Sequence, residues 1–99
     1  MIRMKEKPFY LSEEDIQWVE STRDAMTLEE KAGQLFCLHG NTNDQKELKE
    51  ILTTYHPGAV MYRPSAKKVI YDTHKFLQEN SKIPLLLAAN LESGGDGIG

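Results

Sequence analysis

Short apolar runs suited to β-strands recur about every 25 residues along this chain, and a stretch with helical periodicity separates each from the next. Leu35-Phe36-Cys37-Leu38 is one such run, stopped by His39-Gly40-Asn41. Ala59-Val60-Met61-Tyr62 is the second, entered through the helix breaker His56-Pro57-Gly58, and Leu85-Leu86-Leu87-Ala88-Ala89 is the third. Runs that are apolar at every position, not only at alternate ones, belong to strands covered on both faces, as in parallel sheets. Between the first two, Leu48, Ile51, Leu52 and Tyr55 fall at i, i+3, i+4 and i+7, which predicts an amphipathic helix over 44–55. Between the second and third, Ser65 is read as the N-cap of a helix over 66–79 whose buried face carries Val69, Ile70, Thr73, Phe76 and Leu77.

Two further helices precede the first strand. Ser12, followed by the acidic Glu13, Glu14 and Asp15 where the helix dipole favours them, predicts a helix over 13–25. Thr27 with Glu30 three residues on is a capping box that opens a short helix ending near Gly33. Tyr10 and Trp18 are expected to cover the base of the core. The order helix, helix, strand, helix, strand, helix, strand defines an α/β chain of parallel βα units with right-handed connections. Eight such units need on the order of 200 residues, so 99 residues hold either the opening of a (β/α)8 barrel or a small open sheet. Gly94-Gly95-Asp96-Gly97-Ile98-Gly99 ends the sequence inside a loop, which favours the cut barrel: a helical lead-in over about 1–33, βαβαβ over about 34–92 and a loop over 93–99.

Charge and cysteine content narrow the function classes. Twelve Lys and Arg against 15 Asp and Glu leave a net charge of −3, which offers no general attraction for nucleic acid or an anionic membrane surface. Cys37 is the single cysteine, so no intramolecular disulfide is available. Met1 to Lys7 lacks the apolar stretch of a secretory signal, and the longest apolar run, Ile83 to Ala89, is far short of a membrane helix. The expected location is the cytoplasm, with no cofactor and no metal.

In parallel α/β folds ligands sit at the carboxyl ends of the strands. Those ends carry His39 and Asn41, then Arg63, then Asn90 and Glu92. Glu92 and Asp96 are two carboxylates in one Gly-rich loop, but a flexible four-residue spacing does not set the separation that acid–base work on a glycosidic bond requires. The glycines of 95–99 do not match G-x-G-x-x-G, so they do not define a phosphate-cradling turn. Cys37 and His39 alternate along one strand, half of a metal site in type, and neither His56 nor His74 completes a familiar ligand spacing.

Three segments, in order, resemble glycoside hydrolase family 3. Met26-Thr27-Leu28-Glu29-Glu30-Lys31-Ala32-Gly33-Gln34 is similar to that family's opening Met-Thr-Leu-Glu-Glu-Lys-Ile-Gly-Gln. His56-Pro57-Gly58-Ala59-Val60-Met61-Tyr62 is similar to its Pro-Gly-Gly-Val-Ile-Leu-Phe second strand. Ile83 to Gly95 is similar to its Ile-Pro-Leu-Leu-Ile-Ala-x-Asp-x-Glu-Gly-Gly third strand and loop. The resemblance implies the first three strands of a TIM-barrel-like (β/α)8 catalytic domain. It also implies a retaining hydrolase of terminal β-linked sugars, of the β-N-acetylhexosaminidase or β-glucosidase type, with carbohydrate as its partner.

The nucleophilic aspartate and the proton donor of that family lie downstream of the matched segment. No catalytic residue is therefore assigned to this chain, and the 99 residues are expected to be inactive alone. Asn90 stands where the family usually has a sugar-binding aspartate, and Glu92 matches the glutamate of the same loop, so both are assigned to substrate binding. The amide of Asn90 keeps an acceptor but loses the charge assistance. Ser93 stands in place of a glycine. Three strands with unpaired edges also predict self-association. The alternative reading is a free-standing, non-catalytic α/β module that binds a ligand or partner.

Overall fold

The computed structural model describes residues 3–90. Helix α1 (Glu13–Ala25) opens on a reciprocal cap: the Ser12 hydroxyl accepts the Asp15 N–H at 3.1 Å, and the Asp15 carboxylate accepts the Ser12 N–H. Helix α2 (Leu28–Gly33) repeats the device, with Glu30 N–H donating to the Thr27 hydroxyl at 3.1 Å and Thr27 N–H donating to the Glu30 carboxylate at 2.8 Å. Each cap satisfies N–H groups that the first helical turn leaves without partners. α1 buries none of its residues, and Trp18 and Tyr10 are 52% and 69% exposed, so the expectation that they cover the base of the core is corrected. The reason is orientation: Ile16 and Val19, one turn apart on one face, are half-buried, while Trp18 stands off that face and stays exposed.

Three strands follow: β1 (Cys37–Gly40), β2 (Ala59–Tyr62) and β3 (Leu86–Ala89), in spatial order β1-β2-β3 and parallel throughout. Helix α3 (Gln45–Tyr55) links the first two and α4 (Lys67–Glu79) the last two. This is the parallel βα arrangement that the alternation predicts, as one open three-stranded sheet. β1 begins two residues later than expected. Leu35 and Phe36 instead continue the turn after α2, with N–H bonds to the carbonyls of Ala32 and Gly33, and they are 87% and 61% exposed. The Phe36 carbonyl accepts from Gly58 and Ala59, which sets the start of the β1–β2 ladder.

That junction depends on two glycines. A Cβ on Gly33 would lie 2.2 Å from the Tyr55 carbonyl oxygen, and one on Gly58 would lie 2.2 Å from the Gln34 carbonyl oxygen. The Gly58 N–H donates to the Gly33 carbonyl at 3.1 Å, so the backbones before β1 and β2 touch where no side chain could stand.

α3 is capped by Asp44, whose carboxylate accepts the N–H groups of Lys46 and Glu47 at 2.8 and 3.2 Å; it ends at His56 in the left-handed region (φ 47°). α4 departs from expectation. Its N-cap is Ala66, without a side-chain hydrogen bond, and Ser65 does not cap it, because the helix starts one residue too late for the serine hydroxyl to occupy that position. The core lies between the helices and one face of the sheet: Leu48, Leu52, Val60, Leu77 and Leu85 are buried, with Phe76 and Leu87 packed against them. Leu85 itself precedes β3. Its N–H and carbonyl are both taken by the Gln78 side-chain amide, at 2.8 and 2.9 Å, so they are unavailable to the ladder.

Strand register divides the side chains between two faces. Leu38, Val60 and Leu87 share a row towards the helices, and the next row but one holds Gly40, Tyr62 and Ala89. Cys37, Ala59 and Leu86, then His39, Met61 and Ala88, occupy the opposite face, where Leu86 is 76% exposed. Among the described residues, no helix is long and apolar enough to cross a membrane.

Candidate functional site at the carboxyl edge of the sheet

All three strands run the same way, so their carboxyl ends form one edge. The last paired row is Gly40, Tyr62 and Ala89. One residue beyond it stand Asn41, Arg63 and Asn90, all exposed. Three loop residues separated by 22 and 27 positions in sequence thus stand at one edge; His39, expected there as well, lies instead inside β1, paired with Met61, because the strand runs on to Gly40. Asn41 and Arg63 are joined directly: the Arg63 Nε–H donates to the Asn41 Oδ1 at 2.7 Å, which fixes the guanidinium between the first two loops. A glycine is required at the end of β1, because a Cβ on Gly40 would lie 2.8 Å from the Tyr62 ring. Glu92, Asp96 and the glycines of 94–99 lie outside the described residues.

Behind this edge is a cluster that sequence reasoning missed. Tyr62, 6% exposed, donates its hydroxyl to Thr73 Oγ1 at 3.2 Å and meets the His74 ring edge-on, with centroids 5.3 Å apart and planes at 84°. His74 Nε2 is buried without a hydrogen-bond partner among the described residues, and burial lowers the imidazole pKa from its ordinary value. Thr73 was legible as a member of the buried face of α4. A histidine next to it on the same helix carried no spacing signal, since its contact with Tyr62 arises only when α4 lies on β2. Cys37 and His39 are exposed on the helix-free face of β1, and among the described residues no three His, Cys, Asp or Glu side chains are placed to hold a metal.

A cavity of about 450 Å³ lies at the other end of the strands, lined by Thr22, Met26, Glu30, Leu52, Pro57 and Ile83, among others. Its charged corner is Glu30, whose carboxylate receives the Lys82 ammonium at 2.8 Å and caps α2, and whose pKa falls to about 2 because of those two bonds, the Lys82 one foremost. The pair ties the segment before β3 to the helix before β1. Being at the amino ends, the cavity is on the side that in parallel α/β folds serves stability and not chemistry.

Fold and edge together define a class: a parallel α/β chain whose strand carboxyl ends carry Asn41, Arg63 and Asn90. No protein-family model matches the chain. In sequence it is 39% identical over 94 residues to a beta-N-acetylglucosaminidase/beta-glucosidase from Cellulomonas fimi, an alignment that takes in 95% of this chain and 17% of that protein. In structure it is similar to the beta-glucoside phosphorylase BglX bound to 2FGlc (TM-score 0.82, 41% identity) and to the beta-glucoside phosphorylase BglX (TM-score 0.79, 41% identity). Both alignments cover 95% of this chain, and 17% and 16% of those chains. The chain therefore spans about one sixth of the length of the relatives it matches. By sequence and by fold the chain is similar to a part of each of these three proteins.

Proposed function

We propose that this chain is part of an enzyme that processes β-glycosides, cleaving terminal β-linked glucosides or N-acetylglucosaminides with retention of configuration. The observation that carries the reading is the 41% identity, over 95% of the chain and with a TM-score of 0.82, to the beta-glucoside phosphorylase. The family motifs lie in the elements they predict: the first is α2 with its cap, the second is β2 with its entry turn, and the third contains β3. Asn90, immediately after β3, and Glu92 are the substrate-binding residues of this reading, with the Asn90 amide accepting a bond from a sugar hydroxyl. The remainder of the eight-stranded barrel, the nucleophile and the proton donor belong to parts of the enzyme outside this sequence in the same reading.

The test is aglycone release from aryl β-glucoside and aryl β-N-acetylglucosaminide by the polypeptide of the natural reading frame and, separately, by the 99-residue chain. Turnover by the first and none by the second is the expected result. Activity of the chain alone that disappears in Glu92→Gln or Asp96→Asn would place the chemistry here and overturn the assignment.

A second reading, phosphorolysis, is favoured by the names of the two structural relatives. Water and phosphate are alternative acceptors for one glycosyl group, so the two readings share a donor site and differ at the acceptor. Among the described residues, the face of the sheet without helices and its two unpaired edges also support self-association of the isolated chain.

A further inference from the structure

We propose that Arg63, held in place by Asn41, is the residue that receives an oxyanionic acceptor, inorganic phosphate, and so decides whether the glycosyl group passes to phosphate or to water. The inference rests on the β-glycoside reading and deepens its acceptor side. Arg63 stands one residue past β2, at the edge where Asn90 follows β3, and one of its N–H groups is committed to the Asn41 Oδ1 at 2.7 Å. That bond uses Nε and leaves the two terminal nitrogens of the guanidinium without hydrogen bonds among the described residues. An arginine anchored in this way presents a planar, permanently charged pair of donors that matches two oxygens of a phosphate, and less of its side-chain freedom is lost on binding. A water or a sugar hydroxyl can accept one such bond, but only an oxyanion offers two oxygens and the charge that match the guanidinium fork.

In the transfer, the bond from the sugar C1 to the aglycone oxygen breaks and one from C1 to a phosphate oxygen forms. The proton of the phosphate ends on the aglycone oxygen, with no change of oxidation state. Arg63 touches the acceptor in this scheme, and Asn41 is a positioning residue.

The experiment follows aryl β-glucoside turnover by the polypeptide of the natural reading frame at graded inorganic phosphate, separating free sugar from sugar 1-phosphate. Arg63→Gln is expected to raise the KM for phosphate at least tenfold more than the KM for the glycoside and to move product from sugar phosphate towards free sugar. Arg63→Lys should recover part of the loss, because it restores the charge without the fork, and Asn41→Ala should raise the phosphate KM several-fold. An Arg63→Gln enzyme with the wild-type phosphate KM and product ratio overturns the proposal, as does a wild-type enzyme that releases sugar but never incorporates phosphate. If the wild type releases no aglycone in either medium, it is the β-glycoside reading that fails. Arg63 is then judged by titrating inorganic phosphate against its Nε–H resonance, where a saturable shift sustains the oxyanion site and a flat titration overturns it.

Discussion

Gly58 shows how a single hydrogen atom in place of a side chain can set the start of a sheet. Its missing Cβ lets the backbone before β2 lie on the Gln34 carbonyl, and the obstruction to any larger residue is backbone, which cannot swing aside as a side chain could. Gly58→Ala is expected to lower stability by about 1–3 kcal/mol, the usual range for forced overpacking, and a urea titration with an unchanged slope measures it. At His74 the physics is electrostatic. The folded chain holds the ring partly out of water against Tyr62, so its folded pKa lies below the ordinary value near 6.5. A depressed histidine contributes stability that is complete above its unfolded pKa and is lost as the pH falls through about 6.5 towards the folded value. Denaturation midpoints should fall over that interval, and His74→Leu should reduce the slope; an unchanged slope in the variant would assign the effect to another group.

Among the elements, α2 joins two jobs in one carboxylate. Glu30 closes the capping box with Thr27 and pairs with Lys82, 52 residues away, so the helix before β1 and the turn before β3 share an anchor. Thr27→Ala removes one cap bond and should cost about 1 kcal/mol. The carboxyl resonance of Glu30 should titrate near pH 2, and in Lys82→Met its midpoint should rise towards 4.5, because the Lys82 hydrogen bond that chiefly depresses it is then gone. The stabilising effect of this group is present above about pH 4.5 and fades as the pH falls through about 2. α4 contrasts with α2. With no side-chain cap at Ala66, it is held by what it buries, namely Ile70, Thr73 and Leu77. Leu77 is fully buried, so Leu77→Ala is expected to cost about 2–5 kcal/mol by denaturant titration, more than any cap.

On the scale of the whole chain, the sheet has helices on one face and, among the described residues, solvent on the other. Leu86 and Ala88 of β3 are exposed on the open side, and β1 and β3 each keep an unpaired edge. An exposed sheet face and exposed strand edges favour pairing with another chain. Sedimentation of the isolated chain should therefore show association that grows with concentration, and Leu86→Lys, a charge on the open face, should shift it towards monomer. A monomer at high concentration with a concentration-independent melt would instead favour a free-standing module.

Fold class was legible in the chain alone because periodicity is a local property. Leu48, Ile51, Leu52 and Tyr55 mark a helical face whatever they pack against, and the caps at Ser12 and Thr27 need only residues within three positions. The strand carboxyl ends could be named as candidate site positions for the same reason, since parallel strands place their following loops at one edge. What required tertiary structure were the boundaries and partners set by distant atoms. Leu35 and Phe36 look like strand, yet the contact of Gly33 with Gly58 assigns them to a turn; Leu85 looks like strand, yet Gln78 takes its backbone bonds. Trp18 is expected from the sequence to cover the base of the core, but burial needs a second surface, and among the described residues α1 buries none of its side chains fully. The Arg63–Asn41 bond and the Tyr62–His74 contact likewise join residues 22 and 12 positions apart, and only the packing of strand on strand and helix on sheet brings those side chains within reach.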